Sequence, residues 1–269
     1  MHILVFVKET VSKVAPVTPD TAFPGDREKD DVKINDYDLH ALEAALRIIE
    51  EKDDGKVTAI CLGSEEGGDK VVKHAIAMGC HEAIRIDNSE AKITDPFLVS
   101  KVLAAAAQKI SEYDLILFGM QSYDSGSATM APMVSEHLNL PLACWVEAIK
   151  FKDEKTIETS KVIEGGNRHV DLQLPTVLSI ASTGDYEEYR YTSVRRIMKA
   201  SRTKVPVWTL EELGIDTTAQ SNVNQVSIKA PEARKEKCIV FEEDDAPVLV
   251  DKLLEALKER NMNLGAYKQ

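Results

Sequence analysis

The chain has 269 residues, 43% of them hydrophobic and 29% charged, with a net charge of −12 and aromatic residues at only 6%. That length and composition fit one large globular domain, or a domain with a smaller appendage. The acidic balance excludes broad contact with a nucleic-acid backbone, and the scarcity of aromatics excludes a base-stacking platform; any phosphate must be held by a few donors in one pocket.

Residues 3–7 (Ile-Leu-Val-Phe-Val) are an apolar run too short for a signal segment or a membrane span. They predict the first buried strand of a cytoplasmic protein with no membrane insertion. Residues 10–33 hold Pro16, Pro19, Pro24 and Gly25 and predict a loop with room for a hairpin. Asp36 or Asp38 can cap the next helix, whose Ala41, Leu42, Ala45, Ile48 and Ile49 follow a 3.6-residue period. A second strand is predicted over 57–62, then a helix through Val71, Val72, Ala75, Ile76 and Met78 that ends near Gly79. Residues 83–86 predict a third strand. Pro96 falls in the first turn of a helix running through Val99, Val102, Leu103, Ala106 and Ile110, and 115–118 is the fourth strand. The alternation predicts an α/β fold: a mostly parallel sheet with helices on both faces. No G-x-G-x-x-G follows the first strand; Lys8-Glu9-Thr10 stands there instead.

The fourth strand stops at Gly119, and the small polar run to Thr129 leads into an amphipathic segment ending at Leu138. This is a strand, a turn and a helix start. In an open α/β sheet, nucleotides bind at the carboxyl ends of the strands, where helix N-termini offer free N–H groups to phosphate. Gly119 and Gly126 allow close backbone approach, while Ser122, Ser125, Ser127 and Thr129 supply hydroxyls. From these residues alone two readings stand open: a capped βα connection with no ligand, and a phosphate-binding turn.

Residues 146–151, 156–162 and 169–173 alternate around turns at Lys152-Asp153-Glu154 and Glu164-Gly165-Gly166-Asn167, so antiparallel hairpins extend the sheet. Residues 176–180 are a further buried strand. Next comes a basic segment with Arg190, Arg195, Arg196, Lys199, Arg202 and Lys204, interleaved with Val194, Ile197 and Met198. It reads either as a solvated basic helix or as an apolar anchor ringed by arginine, suited to a partner protein or a phosphate-bearing cofactor at an interface. Residues 205–240 are polar and irregular. A last helix over 247–259 carries Val248, Val250, Leu253, Leu254 and Leu257, and the acidic run Glu242-Glu243-Asp244-Asp245 before it suits a helix N-terminus. The expected organisation is an α/β domain over 1–205 and, over 206–269, a C-terminal stretch ending in a helix and long enough to reach beyond that domain as an arm. Cys61, Cys80, Cys144 and Cys238 are widely spaced and read as reduced thiols; neither they nor the histidines have metal-ligand spacing, so no metal site is expected. With no nucleophile elbow, no recognisable pair of catalytic carboxylates and no Walker-type lysine, no residue is assigned a catalytic role.

Five blocks occur in one order: Val7-Lys8; Asn35-x-Tyr37-Asp38-x-x-Ala41-Leu42-Glu43; Gly119-x-Gln121-x-x-Asp124; Glu164-Gly165-Gly166; and Arg190-Tyr191-x-Ser193-x-x-x-Ile197-Met198-Lys199-Ala200. Together they cover nearly the whole chain, and the chain resembles the beta subunit of electron transfer flavoproteins. The resemblance implies an α/β nucleotide-binding fold paired with an alpha subunit that holds the redox FAD. It also implies an adenine nucleotide in this chain: AMP in ordinary members, FAD in bifurcating members. Carried over by position, the implied pocket comprises Phe6, Val7, Lys8, Asn35, Asp36, Tyr37, Asp38, Leu62 and Gly63. From the later loop it takes Gly119, Met120, Gln121, Ser122, Asp124, Ser125, Gly126, Ser127, Ala128 and Thr129. Partner docking falls on Arg190, Tyr191, Val194, Arg195, Ile197, Met198 and Lys199.

Besides a 10–33 loop that is longer and richer in proline than expected, the chain departs from the family pattern in three places. Asp36 replaces the proline of Asn-Pro-Tyr-Asp, the loop reads Asp124-Ser125-Gly126-Ser127-Ala128-Thr129 where Asp-x-Asp-Thr-x-Gln is usual, and Val194 stands where leucine is more common. The acidic run and last helix resemble the tails of bifurcating members. The implied function is an FAD-binding beta subunit that, with an alpha subunit, exchanges electrons with NAD(H), ferredoxin and an FAD-dependent dehydrogenase of the acyl-CoA or 2-hydroxy acid type. Two alternatives accompany it. One is a non-bifurcating subunit with structural AMP; the other is a stand-alone adenine-nucleotide sensor, which leaves the basic segment unexplained.

Overall fold

The computed structural model describes residues 1–11, 32–216, 226–227, 238–242 and 245–260. In chain order the elements are β1 (His2–Phe6), β2 (Glu9–Val11), β3 (Val32–Ile34), α1 (Asp36–Lys52), β4 (Lys56–Gly63), α2 (Glu65–Met78), β5 (Glu82–Asp87), α3 (Pro96–Ile110), β6 (Leu115–Gly119) and α4 (Met130–Leu138). They continue with β7 (Leu142–Phe151), β8 (Thr156–Ile163), β9 (Gly166–Gln173), β10 (Thr176–Ile180), α5 (Val194–Arg202), β11 (Val207–Trp208) and α6 (Ala246–Glu259). Among the described residues, one nine-stranded sheet runs in the order β11-β5-β4-β1-β6-β10-β7-β8-β9. All its pairings are parallel except β7–β8 and β8–β9, which are the expected antiparallel extension.

The central strands β1 and β6 are apolar over 3–6 and 115–118 because helices cover both sheet faces. Side chains alternate between the two sides. Ile3, Val5, Leu115 and Leu117 pack with α1 and α2 residues such as Leu42, Ala45, Val71 and Met78. Leu4, Phe6, Ile116 and Phe118 pack with α3 and α4 residues such as Val102, Ala106, Ala131 and Val134. The chain leaves β1 toward β4 and β5, then crosses back to place β6 on the other side of β1. Connections therefore diverge between β1 and β6, and in a doubly wound sheet the ligand crevice opens at that point.

Local chemistry sets most boundaries. Gly79 ends α2 at φ 135°, Asp95 caps α3 by accepting from the Phe97 amide, and Pro96 occupies its first turn. Two expectations, at the start of α1 and over 205–240, need correction. Neither Asp36 nor Asp38 caps α1: Asn35 holds the N-cap position, and Asp38, inside the first turn, is buried. In the 10–33 stretch, where a hairpin had room, Thr10 and Val11 pair antiparallel with Lys33 and Val32; residues 12–31 lie outside the described set. The second helix runs through Val71 to Met78 and ends at Gly79 as expected; it begins at Glu65, where Ser64 caps it. The 205–240 stretch is not wholly irregular, since Val207 and Trp208 add an edge strand beside β5 and Leu210 is buried in the core.

The chain divides into two units, Met1–Ile228 and Lys229–Gln269. The first runs past residue 205 because β11 belongs to the sheet. In the second, α6 buries none of its residues, and Val248, Val250, Leu253 and Leu254 are exposed. No described helix is long and apolar enough to cross a membrane.

Candidate functional site: a cleft at the β1–β6 switch point

A cleft of about 370 Å³ opens at the carboxyl ends of β1 and β6, near the low end of the ~300–1,000 Å³ usual for ligand sites. Its apolar wall includes Phe6 and Phe118, whose rings stack with centroids 5.0 Å apart. Its polar side is built by three segments that meet: the end of β1, the start of α1 and the loop after β6.

Asn35 and Asp38 join these segments. Asn35 Nδ2 donates to Asp38 Oδ1 at 2.9 Å and to the Gln121 carbonyl at 2.9 Å, while Asn35 Oδ1 accepts from the Tyr123 amide at 2.9 Å. The Lys8 amide donates to Asp38 Oδ2 at 2.7 Å. Burial pushes the Asp38 carboxyl up to about 7, against the opposing pull of bonds from Asn35, Lys8 and Gly119. Across the cleft, Lys8 Nζ meets Asp124 Oδ1 at 2.7 Å. Burial alone would raise Asp124, but the Lys8 ammonium and bonds from Ser122 and Ser125 hold it below the usual carboxylate range. Glu9, also at the cleft, is raised by burial; its carboxylate accepts from the Ser64 amide at 3.1 Å and the Ser64 hydroxyl at 2.9 Å.

The caps of the surrounding helices differ. At α2 the N-terminus is served by Ser64, itself bonded to Glu9, and at α3 by Asp95. Thr129, at the N-cap of α4, makes no side-chain capping bond; its Oγ1 lies 3.2 Å from Ser127 Oγ. Pro132 has no N–H, so the first-turn amides of α4 are those of Met130 and Ala131, which have no intrahelical acceptor. Both residues line the cleft, as do Ser127, Ala128 and Thr129. A helix N-terminus without a side-chain cap and two hydroxyl residues therefore border the cleft, the kind of place that suits an anion. The loop reaches this position through Gly126 at φ 61° and Ala128 at φ 52°.

Of the residues assigned to a cofactor, the cleft is lined by Phe6, Val7, Lys8, Asn35, Asp38, Leu62, Gly119, Met120, Gln121, Ser122, Asp124, Ser125, Ser127, Ala128 and Thr129. Asp36, Tyr37, Gly63 and Gly126 are not on its wall. Asp36 pairs with Lys33 at 2.5 Å, and Gly63 packs against Gly68 and Glu9. Sequence reasoning passed over Glu9 and the loop after β5, where Asn88, Ile93 and Thr94 reach the cleft. Asn88 closes that loop by bonding both the amide and the carbonyl of Ile93, at 2.8 and 3.0 Å. Its signal was the carboxyl end of the third strand, which faces the same crevice.

The segment assigned to docking divides in two. Tyr191, Val194, Ile197 and Met198 are exposed, and so are Arg195 and Lys199. Arg190 is instead held on the chain's own α1, where it bonds Glu43 and Glu50, and Arg196 donates to the Met78 carbonyl at the end of α2.

Residues 26–213 match the model of a protein family described as the electron transfer flavoprotein domain. The chain is also 30% identical over 186 residues to the caffeyl-CoA reductase-Etf complex subunit CarD of Acetobacterium woodii, a match that covers 69% of this chain and 70% of that one.

Proposed function

Because the chain belongs to the electron transfer flavoprotein family, we propose that it is the FAD-binding beta subunit of an electron-bifurcating complex. In this reading it pairs with an alpha subunit and exchanges electrons with NAD(H), ferredoxin and an FAD-dependent dehydrogenase acting on an acyl-CoA or a 2-hydroxy acid. The observation that carries the nucleotide reading is that the N-terminus of α4 has no side-chain cap while its first residues, Met130 and Ala131, line the cleft beside Ser127 and Thr129. Kinship with a subunit of a caffeyl-CoA reductase-Etf complex supports the assembly and the acyl-CoA class.

The residues fit a nucleotide phosphate. Met130 and Ala131 would bind it through their N–H groups, Ser127 and Thr129 would donate hydroxyl bonds, and Lys8 would add positive charge. Phe6 and Phe118 would exclude water from the apolar wall. A bound flavin supplies the hydride and single-electron chemistry, while the protein supplies position and electrostatics. The chain is not assigned catalysis on its own.

A second reading, structural AMP in the same cleft, is favoured by the volume: about 370 Å³ suits an adenylate better than a whole dinucleotide. The test is to purify the heterodimer, release its nucleotides by heat and identify them. Two FAD per heterodimer supports bifurcation. AMP with one FAD overturns it in favour of the second reading, and a stable lone chain without flavin overturns both.

A further inference from the structure

The helix α1 carries two separate polar sets. Its N-terminal end serves the cleft through Asn35 and Asp38. Further along, Glu43, Arg47 and Glu50 follow at intervals of four and three residues and so share one helix face. That face holds the segment just before α5. Arg190 donates to Glu43 through Nε at 2.7 Å and through its backbone amide at 3.1 Å, and to Glu50 at 2.6 and 2.9 Å. Arg47 donates to Glu43 at 2.7 Å and to the carbonyls of Asp185 and Glu188 at 2.7 and 3.0 Å. Beyond Arg190, Arg196 reaches the Met78 carbonyl at 3.0 Å, at a helix end where carbonyls lack partners.

Glu43 is only 3% exposed and faces two guanidinium groups. Forked arginine–carboxylate bonds are directional as well as strong. Because the Arg190 amide joins them, they fix the backbone at residue 190 and not only its charge. The helix that follows needs such a fixture. It has nine residues, only Ala200 is buried, and helices this short are not stable on their own. Meanwhile Val194 is 74% exposed, Ile197 49% and Met198 54%.

We propose that Glu43 is a positioning residue: through Arg190 it sets where α5 presents Val194, Ile197 and Met198, so that a partner protein meets a preorganised surface. Arg190 is then an internal tether and not a partner contact. The proposal rests on the reading of α5 as a docking helix.

The experiment uses the purified heterodimer and the flavin dehydrogenase that copurifies with it. Glu43→Gln keeps the shape and removes the charge; Glu50→Gln removes a solvent-facing carboxylate and secures the test should the first variant not fold. Amide exchange over residues 189–202 is expected to quicken about tenfold in Glu43→Gln and about threefold in Glu50→Gln, with residues 35–42 unchanged. KM for the dehydrogenase should rise about tenfold with kcat and nucleotide content kept. Unchanged exchange over 189–202 in the folded variants, or a loss of nucleotide with KM kept, overturns the proposal. Val194→Asp separates the two ideas. An unchanged KM in that variant overturns the docking reading, whereas exchange over 189–202 still reports the tether.

Discussion

Gly119 lies so close to the first turn of α1 that an added Cβ would stand 2.4 Å from Asp38 Oδ1 and 2.6 Å from the Tyr37 carbonyl carbon. Both neighbours are fixed, one by three hydrogen-bond donors and the other by the helix backbone, so neither can give way cheaply. Gly119→Ala is expected to cost about 1–3 kcal/mol in stability, the usual range for overpacking, and to empty the cleft of nucleotide. Thermal denaturation and nucleotide content measure the two effects. An alanine variant that keeps both would show that the β6 loop has more freedom than this contact allows.

Asp38 predicts an unusual pH dependence. Its carboxyl is raised from 3.8 to about 7 by burial, opposed by bonds from Asn35, Lys8 and Gly119. Between those values the folded chain holds a proton that the unfolded chain has lost. Its contribution to stability therefore falls as pH rises through that window and levels off above about 7. Asp38→Asn removes the titration. The melting temperature of the native heterodimer minus that of the variant should decline between about pH 4 and 7 and then stay flat. A difference that does not change with pH would mean that Asp38 does not titrate in this range.

Much of the fold was legible because its signals are local. Residues 176–180 are the observed strand to the residue, and Pro96 and Gly79 mark helix ends that their backbone chemistry dictates. The cleft loop was legible for the same reason: the apolar run ends at a glycine and small hydroxyl residues follow. What escaped notice depends on partners distant in sequence. Asp38 looks like a helix cap until Lys8, thirty residues away, is seen to donate to it. Arg190 looks like a free surface charge until Glu43, 147 residues away, is brought beneath it. Glu9 has no assigned role in the sequence until Ser64, 55 residues away, is seen to donate to it. Charge patterns along a chain do not reveal which charges the fold consumes internally.

The hydroxyls of Ser127 and Thr129 contact each other at 3.2 Å and are exposed or nearly so. Removing them should leave stability within about 0.5 kcal/mol. If they bond a phosphate, each is worth about 1 kcal/mol to it, and the double variant Ser127→Ala, Thr129→Ala should bind nucleotide roughly 10- to 30-fold more weakly. Titration calorimetry of AMP or FAD against nucleotide-stripped heterodimer gives the comparison. Equal affinities would remove the N-terminus of α4 from the binding account.

The pair Lys8–Asp124 predicts opposite effects from its two ends. Lys8 is the cationic side chain among the described residues lining the cleft, where Glu9, Asp38 and Asp124 also stand. As a partly exposed ion pair it contributes at most about 1 kcal/mol to stability, so neither variant should unfold the protein. For an anionic ligand the two ends differ in sign. Lys8→Met leaves the carboxylates unopposed and should weaken nucleotide binding about tenfold, most strongly at low salt. Asp124→Asn releases the ammonium from its partner and removes a repelling charge, so binding should tighten several-fold. Affinities of both variants at two salt concentrations make the check. Weaker binding in both would mean that the pair acts by holding the loop in place, with its charge of no consequence to the ligand.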